Sequence, residues 1–310
     1  MSNNSTFLSP DLCFSLCSLD LVAKNRSSAF NAVALSTSIA IAFLSPLAVV
    51  GNALVLAAIW RNTSLRTPSY IILCGLAFTD LCTGVITEPS YVAMRLIRLQ
   101  KKKNQDGLPS FLVHVTTFCG TFFTYLTLVL VTLMSIERWL HMTRRSLLTV
   151  RRSCLIVALV SLLAISLAIF HYSSMEAAFI LNIFFCVFLL FCLIATTISY
   201  FKVFRIIRRH QQQVQANENS RQPAIDILKY KKSMTSILYI LGVFYVSYSP
   251  YPVVTVIFIL KGYEDLEVAH VILTMFLFLS SSLNPVIYIY RMNEVRNEVK
   301  NLIKKLFCTQ

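Results

Sequence analysis

Charge is what this sequence has least of. Only 14% of its 310 residues are Asp, Glu, Lys or Arg, against 56% that are hydrophobic, and a soluble domain could not solvate its surface with so little. Acidic residues are scarcer still, 14 against 28 basic ones. The chain also has no Gly-rich or Pro-rich linker, internal repeat or low-complexity segment, so nothing divides it into separate units. Zinc-ligand spacings, nucleophile motifs and phosphate-binding loops are missing too, which argues against an enzyme. There is no basic, apolar, small-residue order of a cleaved signal peptide, so the first apolar segment is expected to act as an uncleaved signal.

What the chain does have is seven long apolar runs, at residues 30–60, 69–97, 110–142, 153–171, 177–204, 232–260 and 267–290. Each reaches the roughly 20 residues that cross a hydrocarbon core about 30 Å thick, the fourth by the smallest margin. Backbone polar groups in lipid must satisfy one another, so runs of this length are helices. The expectation is an all-α membrane protein, a seven-transmembrane helix bundle. Residues 1–28 form an extracellular segment, 29–290 the membrane domain and 291–310 a cytoplasmic amphipathic helix and tail.

Basic residues set the orientation. Segments 61–68, 138–152 and 202–232, with the tail after Tyr288, hold 20 of the 28 Lys and Arg, and all lie on one side of a seven-pass chain. The positive-inside rule makes that side cytoplasmic and the N-terminus extracellular. The net charge of +14 then faces anionic inner-leaflet lipid, and nucleic acid is not expected as a partner. Arg95, Arg98, Lys101, Lys102 and Lys103 break the pattern between runs two and three, where a solvated loop face explains them better than an acidic ligand does. Asn3, Asn4 and Asn25 stand in glycosylation acceptor patterns on the outer side. Of the nine cysteines, six lie inside helices as small packing residues, while Cys13 and Cys17 could pair with each other.

Polar residues at bilayer depth are costly, about 2.5–3.5 kcal/mol for an Asp at a helix centre, so they mark function. Asn52 lies in GNALVL, Asp80 in LAFTDL, Glu137 and Arg138 in MSIERW, and Asn284 and Pro285 in NPVIY. Helix-to-helix glue accounts for any one of them, but poorly for all of them in this order.

In these motifs the chain resembles the rhodopsin-like (class A) G-protein-coupled receptors. Tyr200 in ISYFKVFRIIRR matches their helix-five tyrosine, Phe244 and Pro250 in FYVSYSP match the helix-six pair, and the likeness runs across residues 51–288. The resemblance implies an extracellular ligand, a heterotrimeric G protein as partner, and no catalysis. It implies that Tyr288 and Tyr200 swing inward on activation while Arg138 leaves Glu137 and helix six moves outward. Pro285 weakens its helix locally, which suits a segment with two arrangements. The run RMNEVRNEVKNLIKKLFC spaces Met292, Val295, Val299, Leu302, Ile303 and Leu306 three to four residues apart, an amphipathic eighth helix on the inner leaflet, with Cys308 a palmitoylation candidate.

Several positions depart from the family. Val113 stands where the usual helix-three cysteine would be, and HYSSMEA at 171–177 has no cysteine, so the family's disulfide cannot form. Helix four lacks the family's tryptophan, Cys192 replaces a helix-five proline, and Tyr248 replaces the helix-six tryptophan. The short cysteine-free loop and the missing proline are closest to the melanocortin, cannabinoid and lysolipid branch. Gly120 at the amine-binding aspartate position excludes an amine receptor, and Phe278 at the lysine position excludes retinal. The outer cavity is expected to use Glu88, Tyr91, His114, Thr116, Thr117, Tyr248 and Tyr251, for a peptide or lipid-like ligand. Asp80, Thr127, Ser280, Ser281 and Asn284 match or conservatively replace the family's sodium-site positions. Tyr230 stands where a helix-six acid often pairs with the arginine, and Asp226 lies too early. The resting state would then rely on an exposed Glu137–Arg138 pair worth roughly 0–1 kcal/mol, giving basal signalling. Two other readings are a small-molecule chemosensory receptor of the same fold and a seven-helix transporter. Transporters favour paired broken helices and internal repeats, which this sequence does not display.

Overall fold

The computed structural model describes residues 28–100, 110–143, 148–173, 178–216, 239, 241–261 and 267–307. Within them α1 spans Ser28–Arg61, α2 Pro68–Gln100, α3 Ser110–Met142, α4 Val150–Ser173, α5 Ala178–Ala216, α6 residues 241–261, α7 Glu267–Arg291 and α8 Asn293–Phe307. Six of these are long and apolar enough to cross a bilayer, and the shorter α6 supplies the seventh crossing of the bundle. α4, over the shortest apolar run, gains length at its ends from Arg151 and Arg152 and from Tyr172. The glycosylation candidates Asn3, Asn4 and Asn25 lie outside the described residues, as do Cys13, Cys17, Lys101, Lys102, Lys103, Asp226, Tyr230 and Cys308.

α3 is the central helix. Of its most apolar stretch 61% is buried, against 22% for α1 and 17% for α4, which turn most of their surface to lipid. Lipid tails are as apolar as leucine, so helices here are held by close approach and polar bonds. α1 packs most extensively on α7, and Gly51 sets that approach: a Cβ there would stand 2.7 Å from Cγ of Pro285. Gly84 does the same between α2 and α1, where an added Cβ would stand 3.1 Å from both Ala48 and Val49. Ser45 Oγ donates to the Gly84 carbonyl at 2.7 Å across this contact.

Two helices are irregular, each at proline. Within α2, Thr83–Thr87 form a π-helical turn, and the Glu88 N–H reaches back to the Thr83 carbonyl. Pro89 crowds the carbonyl four residues before it, and a wider turn just ahead relieves that clash. In α6 regular helix is broken at Ser249, whose N–H bonds Tyr245 at 2.9 Å. Pro250 and Pro252 have no N–H for the carbonyls of Val246 and Tyr248, so α6 is weakest here.

α8 modifies the expectation of a helix lying only on lipid. Val295 and Val299 are buried in the bundle core with Met292 and Leu302 packed against them, while Ile303 stays exposed. Part of the apolar stripe therefore faces protein. The Leu306 side chain lies outside the described residues.

Candidate functional site

The centre of the site follows from Pro285. A proline offers no N–H, so the Ser281 carbonyl four residues earlier loses its helical partner. Asn52 fills that gap, its Nδ2 donating to Ser281 O at 3.1 Å and to Ala48 O of its own helix at 2.9 Å. Beside the proline, Asn284 Nδ2 donates to Asp80 Oδ2 at 2.8 Å, and Ser282 Oγ donates to the Leu44 carbonyl at 3.0 Å. Polar residues of α1, α2 and α7 are thus joined at membrane depth. Two oxygens are left without a hydrogen bond, Asp80 Oδ1 and Asn52 Oδ1, both in fully buried residues. Thr127, Ser280 and Ser281 are buried too, and Ser280 Oγ donates to Leu277 O at 2.7 Å.

A narrow cavity lies between α2, α3, α6 and α7. It runs from Tyr91 and Thr116 past Thr83, Thr87, Gly120, Phe123, Thr124, Tyr248, Thr274, Leu277 and Phe278 to Thr127 and Ser281. No charged side chain lines it among the described residues. Four of its threonines have already used their hydroxyl hydrogens: Thr83 donates to Thr79 O, Thr116 to Leu112 O, Thr124 to Gly120 O and Thr274 to His270 O, at 2.6–3.0 Å. They offer lone pairs to whatever enters.

Of the residues expected around the outer cavity, Tyr91, Thr116 and Tyr248 line this space. Glu88 is fully buried beside it with neither carboxylate oxygen hydrogen-bonded, so it does not face lipid headgroups. Tyr251 is buried edge-on against Phe185, 5.3 Å between ring centroids, and Thr117 is buried away from the lining. His114 is exposed at the end of α3, where its Nδ1 and the Tyr172 hydroxyl of α4 share a 2.6 Å hydrogen bond. Phe118 packs edge-on against the same Tyr172 ring.

Towards the other end of the bundle, the Phe244 and Tyr248 rings of α6 pack 5.0 Å apart with their planes tilted by 43°, both buried. Tyr288 is buried with its hydroxyl lacking a hydrogen-bond partner. Tyr200 is buried on α5 among Val203, Ile207, Trp139, Met142 and Leu241. The exposed Glu137–Arg138 pair expected from sequence is not what forms. Glu137 is 2% exposed, and its Oε2 accepts from Ser69 Oγ at 2.6 Å, at the first turn of α2. Helix position explains this, because neighbours along a helix point about 100° apart and Glu137 turns inward while Arg138 is half-buried. Next to Ser69, the Tyr70 hydroxyl donates to Glu294 of α8, and Asn62 Nδ2 donates to Glu298 Oε1 at 3.0 Å. Lys202 Nζ of α5 sits 3.9 Å above the Trp139 ring.

The chain matches the seven-transmembrane receptors of the rhodopsin family over residues 51–179 and 169–288. It belongs to that family. It is also 23% identical to melanocortin receptor 4 of Danio rerio over 289 residues, covering 90% of this chain and 86% of that receptor. The protein is therefore a multi-pass membrane receptor that binds an extracellular ligand and signals through G proteins, and its family is one of receptors, not of enzymes. In this rhodopsin-family receptor Gly51, Asn52, Asp80, Asn284 and Pro285 form one packed unit. The sequence pointed to Asn52 by its depth and its GNALV motif; the carbonyl orphaned by Pro285 was the signal for its role. Ser69 was missed, because nothing near Glu137, 68 residues away, points to it. Nothing local in the sequence pairs Tyr70 with Glu294, 224 residues apart.

Proposed function

We propose that this receptor is activated by a peptide ligand that enters the cavity below Tyr91 and Thr116. The observation that carries the reading is the wall chemistry: lone pairs from Thr83, Thr116, Thr124 and Thr274, aromatic faces, and no charged lining residue. Peptide N–H groups and side-chain donors complement such a wall, whereas the phosphate of a lysolipid brings more acceptors and a charge with no counter-ion. The relative is named as a melanocortin receptor. The cavity is narrow, so the ligand selects a wider arrangement of α6, whose paired prolines allow it.

In this reading the end bearing Arg138 is cytoplasmic, the N-terminus is extracellular, and the receptor works at the plasma membrane. Arg138 meets the G protein, and Tyr200, Phe244, Tyr248, Pro250 and Tyr288 form the moving path between cavity and Arg138. A sodium ion fits beside Asp80, because Asp80 Oδ1 and Asn52 Oδ1 are buried oxygens without partners and Thr127, Ser280 and Ser281 add hydroxyls around them. Bound there, the ion would supply positive charge that favours the compact arrangement. Asp80 and Asn284 hold α2 to α7 through their own hydrogen bond.

The test is a screen of peptides and lysolipids read by G-protein activation, on the wild type and on Thr124→Val. The expected result is a peptide agonist whose potency falls about three- to tenfold in Thr124→Val, as for one lost hydrogen bond. Agonists confined to phosphate-headed lipids, with potency unaltered by the substitution, would overturn the ligand class.

A further inference from the structure

Two carboxylates from distant parts of the chain converge on the first turn of α2. Glu137 of α3 takes the hydrogen bond of Ser69, and Glu294 of α8 takes that of Tyr70, the very next residue. This turn has particular need of acids. Its cap, Thr67, makes no side-chain hydrogen bond, and Pro68 opens the helix without an N–H, so the positive helix end is left to its neighbours. Tyr70 is buried, and α8 is anchored by the inward-facing Val295 and Val299, so the Tyr70–Glu294 bond joins two fixed bodies.

We propose that Glu294, acting through Tyr70, is a positioning residue for the G-protein-facing arginine: it holds the first turn of α2 where Ser69 engages Glu137, which keeps Glu137 off Arg138. The inference rests on the coupling role of Arg138. If the turn loosens, Glu137 remains buried and loses its donor, and a buried carboxylate without a partner is costly enough to capture another donor. The Arg138 guanidinium, one residue on, is long enough to fold back, against the disfavoured geometry of adjacent helix positions that Ser69 otherwise leaves decisive. Arg138 then has to be released before it can meet the G protein, so coupling weakens. Arg138 also lies within electrostatic reach of the Tyr70 hydroxyl, which places the three groups in one neighbourhood.

The experiment uses the full-length receptor in nanodiscs and measures its affinity for nucleotide-free heterotrimers, one from each major G-protein class. For the class that the wild type binds, Glu294→Ala and Tyr70→Phe each should lower affinity about fivefold, the low end of coupling effects between sites. Tyr70→Phe keeps the ring packed, and so carries the test if Glu294→Ala folds poorly. In a Glu137→Gln background the Glu294→Ala loss should vanish, because no carboxylate remains to capture Arg138. Glu298→Ala, which removes the acceptor for Asn62 without touching α2's first turn, should leave affinity unchanged. Wild-type affinity in both Glu294→Ala and Tyr70→Phe overturns the proposal, as does a loss that persists without Glu137 or an equal loss in Glu298→Ala. Binding of no heterotrimer by the wild type would overturn the coupling role and this inference with it.

Discussion

The two ends of the bundle are held by different chemistry. At the Arg138 end, α1, α2, α3 and α8 meet through carboxylates: Ser69 with Glu137, Tyr70 with Glu294, Asn62 with Glu298. A cation on an aromatic ring adds α5 through Lys202 and Trp139. At the His114 end, where the family usually has a disulfide, α3 and α4 are joined by a hydrogen bond between an exposed histidine and a tyrosine, with no carboxylate in it. Hydrogen bonds to charged groups contribute about 1.5–3 kcal/mol and neutral ones nearer 1, less when water competes. In the orientation proposed above, the difference suits a receptor whose His114 end must open to a ligand while its Arg138 end keeps a defined resting state.

The strongest way to break this picture is at Arg138. Arg138→Ala should reduce G-protein activation at least about tenfold at matched surface expression, because neither alanine nor lysine reproduces the planar, multi-donor guanidinium. Glu137→Gln should instead change ligand-independent signalling by less than about twofold, since an amide still accepts from Ser69 and the carboxylate is not what holds Arg138. Full signalling by Arg138→Ala in assays covering each G-protein class would remove the central residue of the mechanism.

Between the ends, the contact of α1 with α7 has the closest glycine approach among the described residues. Gly51→Ala places a methyl group 2.7 Å from Cγ of Pro285, a rigid ring inside a helix. The helices must move apart, at a cost of about 1–3 kcal/mol. Thermal denaturation of the purified receptor should report it as a lower midpoint. Gly242→Ala, with nothing within 4 Å of the added Cβ, should cost nothing and serves as the comparison. Equal midpoints for the two variants would mean that the Gly51 approach is not needed.

Much of this architecture was legible because apolar length and buried polar residues are strong, local signals. Within the described residues, the seven runs, the GNALV, LAFTD, ERW and NPVIY motifs and the amphipathic tail map onto helices that meet as a bundle. What escaped was pairing. Nothing near Glu137 in sequence announces Ser69, so the acid was assigned to its neighbour Arg138, a contact that helical geometry disfavours. The α8 stripe was assigned to lipid because periodicity shows which face is apolar and not what covers it; Val295 and Val299 face protein. The π-turn at Thr83–Thr87 was also unseen, although Pro89 two residues beyond it was in plain view.

The polar centre offers a subtler probe of how the two ends communicate. Replacing sodium by choline around wild-type receptor in membranes should raise basal G-protein activation about threefold, a shift of well under 1 kcal/mol. Asp80→Asn, which keeps a polar group beside Asn284 but removes the charge, should respond to the exchange by less than the assay error. An identical response from both would detach the open oxygens Asp80 Oδ1 and Asn52 Oδ1 from any ion.

The smallest expected effect lies at the His114 end and decides whether a tie there replaces the missing disulfide at all. His114→Phe and Tyr172→Phe each keep a ring of similar shape, so the edge-to-face contact at 5.6 Å survives while the 2.6 Å hydrogen bond is lost. Exposure lets water take up the freed groups, so each single change should cost only about 0.5 kcal/mol of stability. The informative quantity is the coupling: the double variant should cost no more than either single one, because the bond can be lost only once. Denaturation midpoints of the four purified proteins measure it. Strict additivity would show that His114 and Tyr172 contribute separately, and that the His114 end is held by ring packing, with Phe118 against Tyr172, and not by a bond in the disulfide's place.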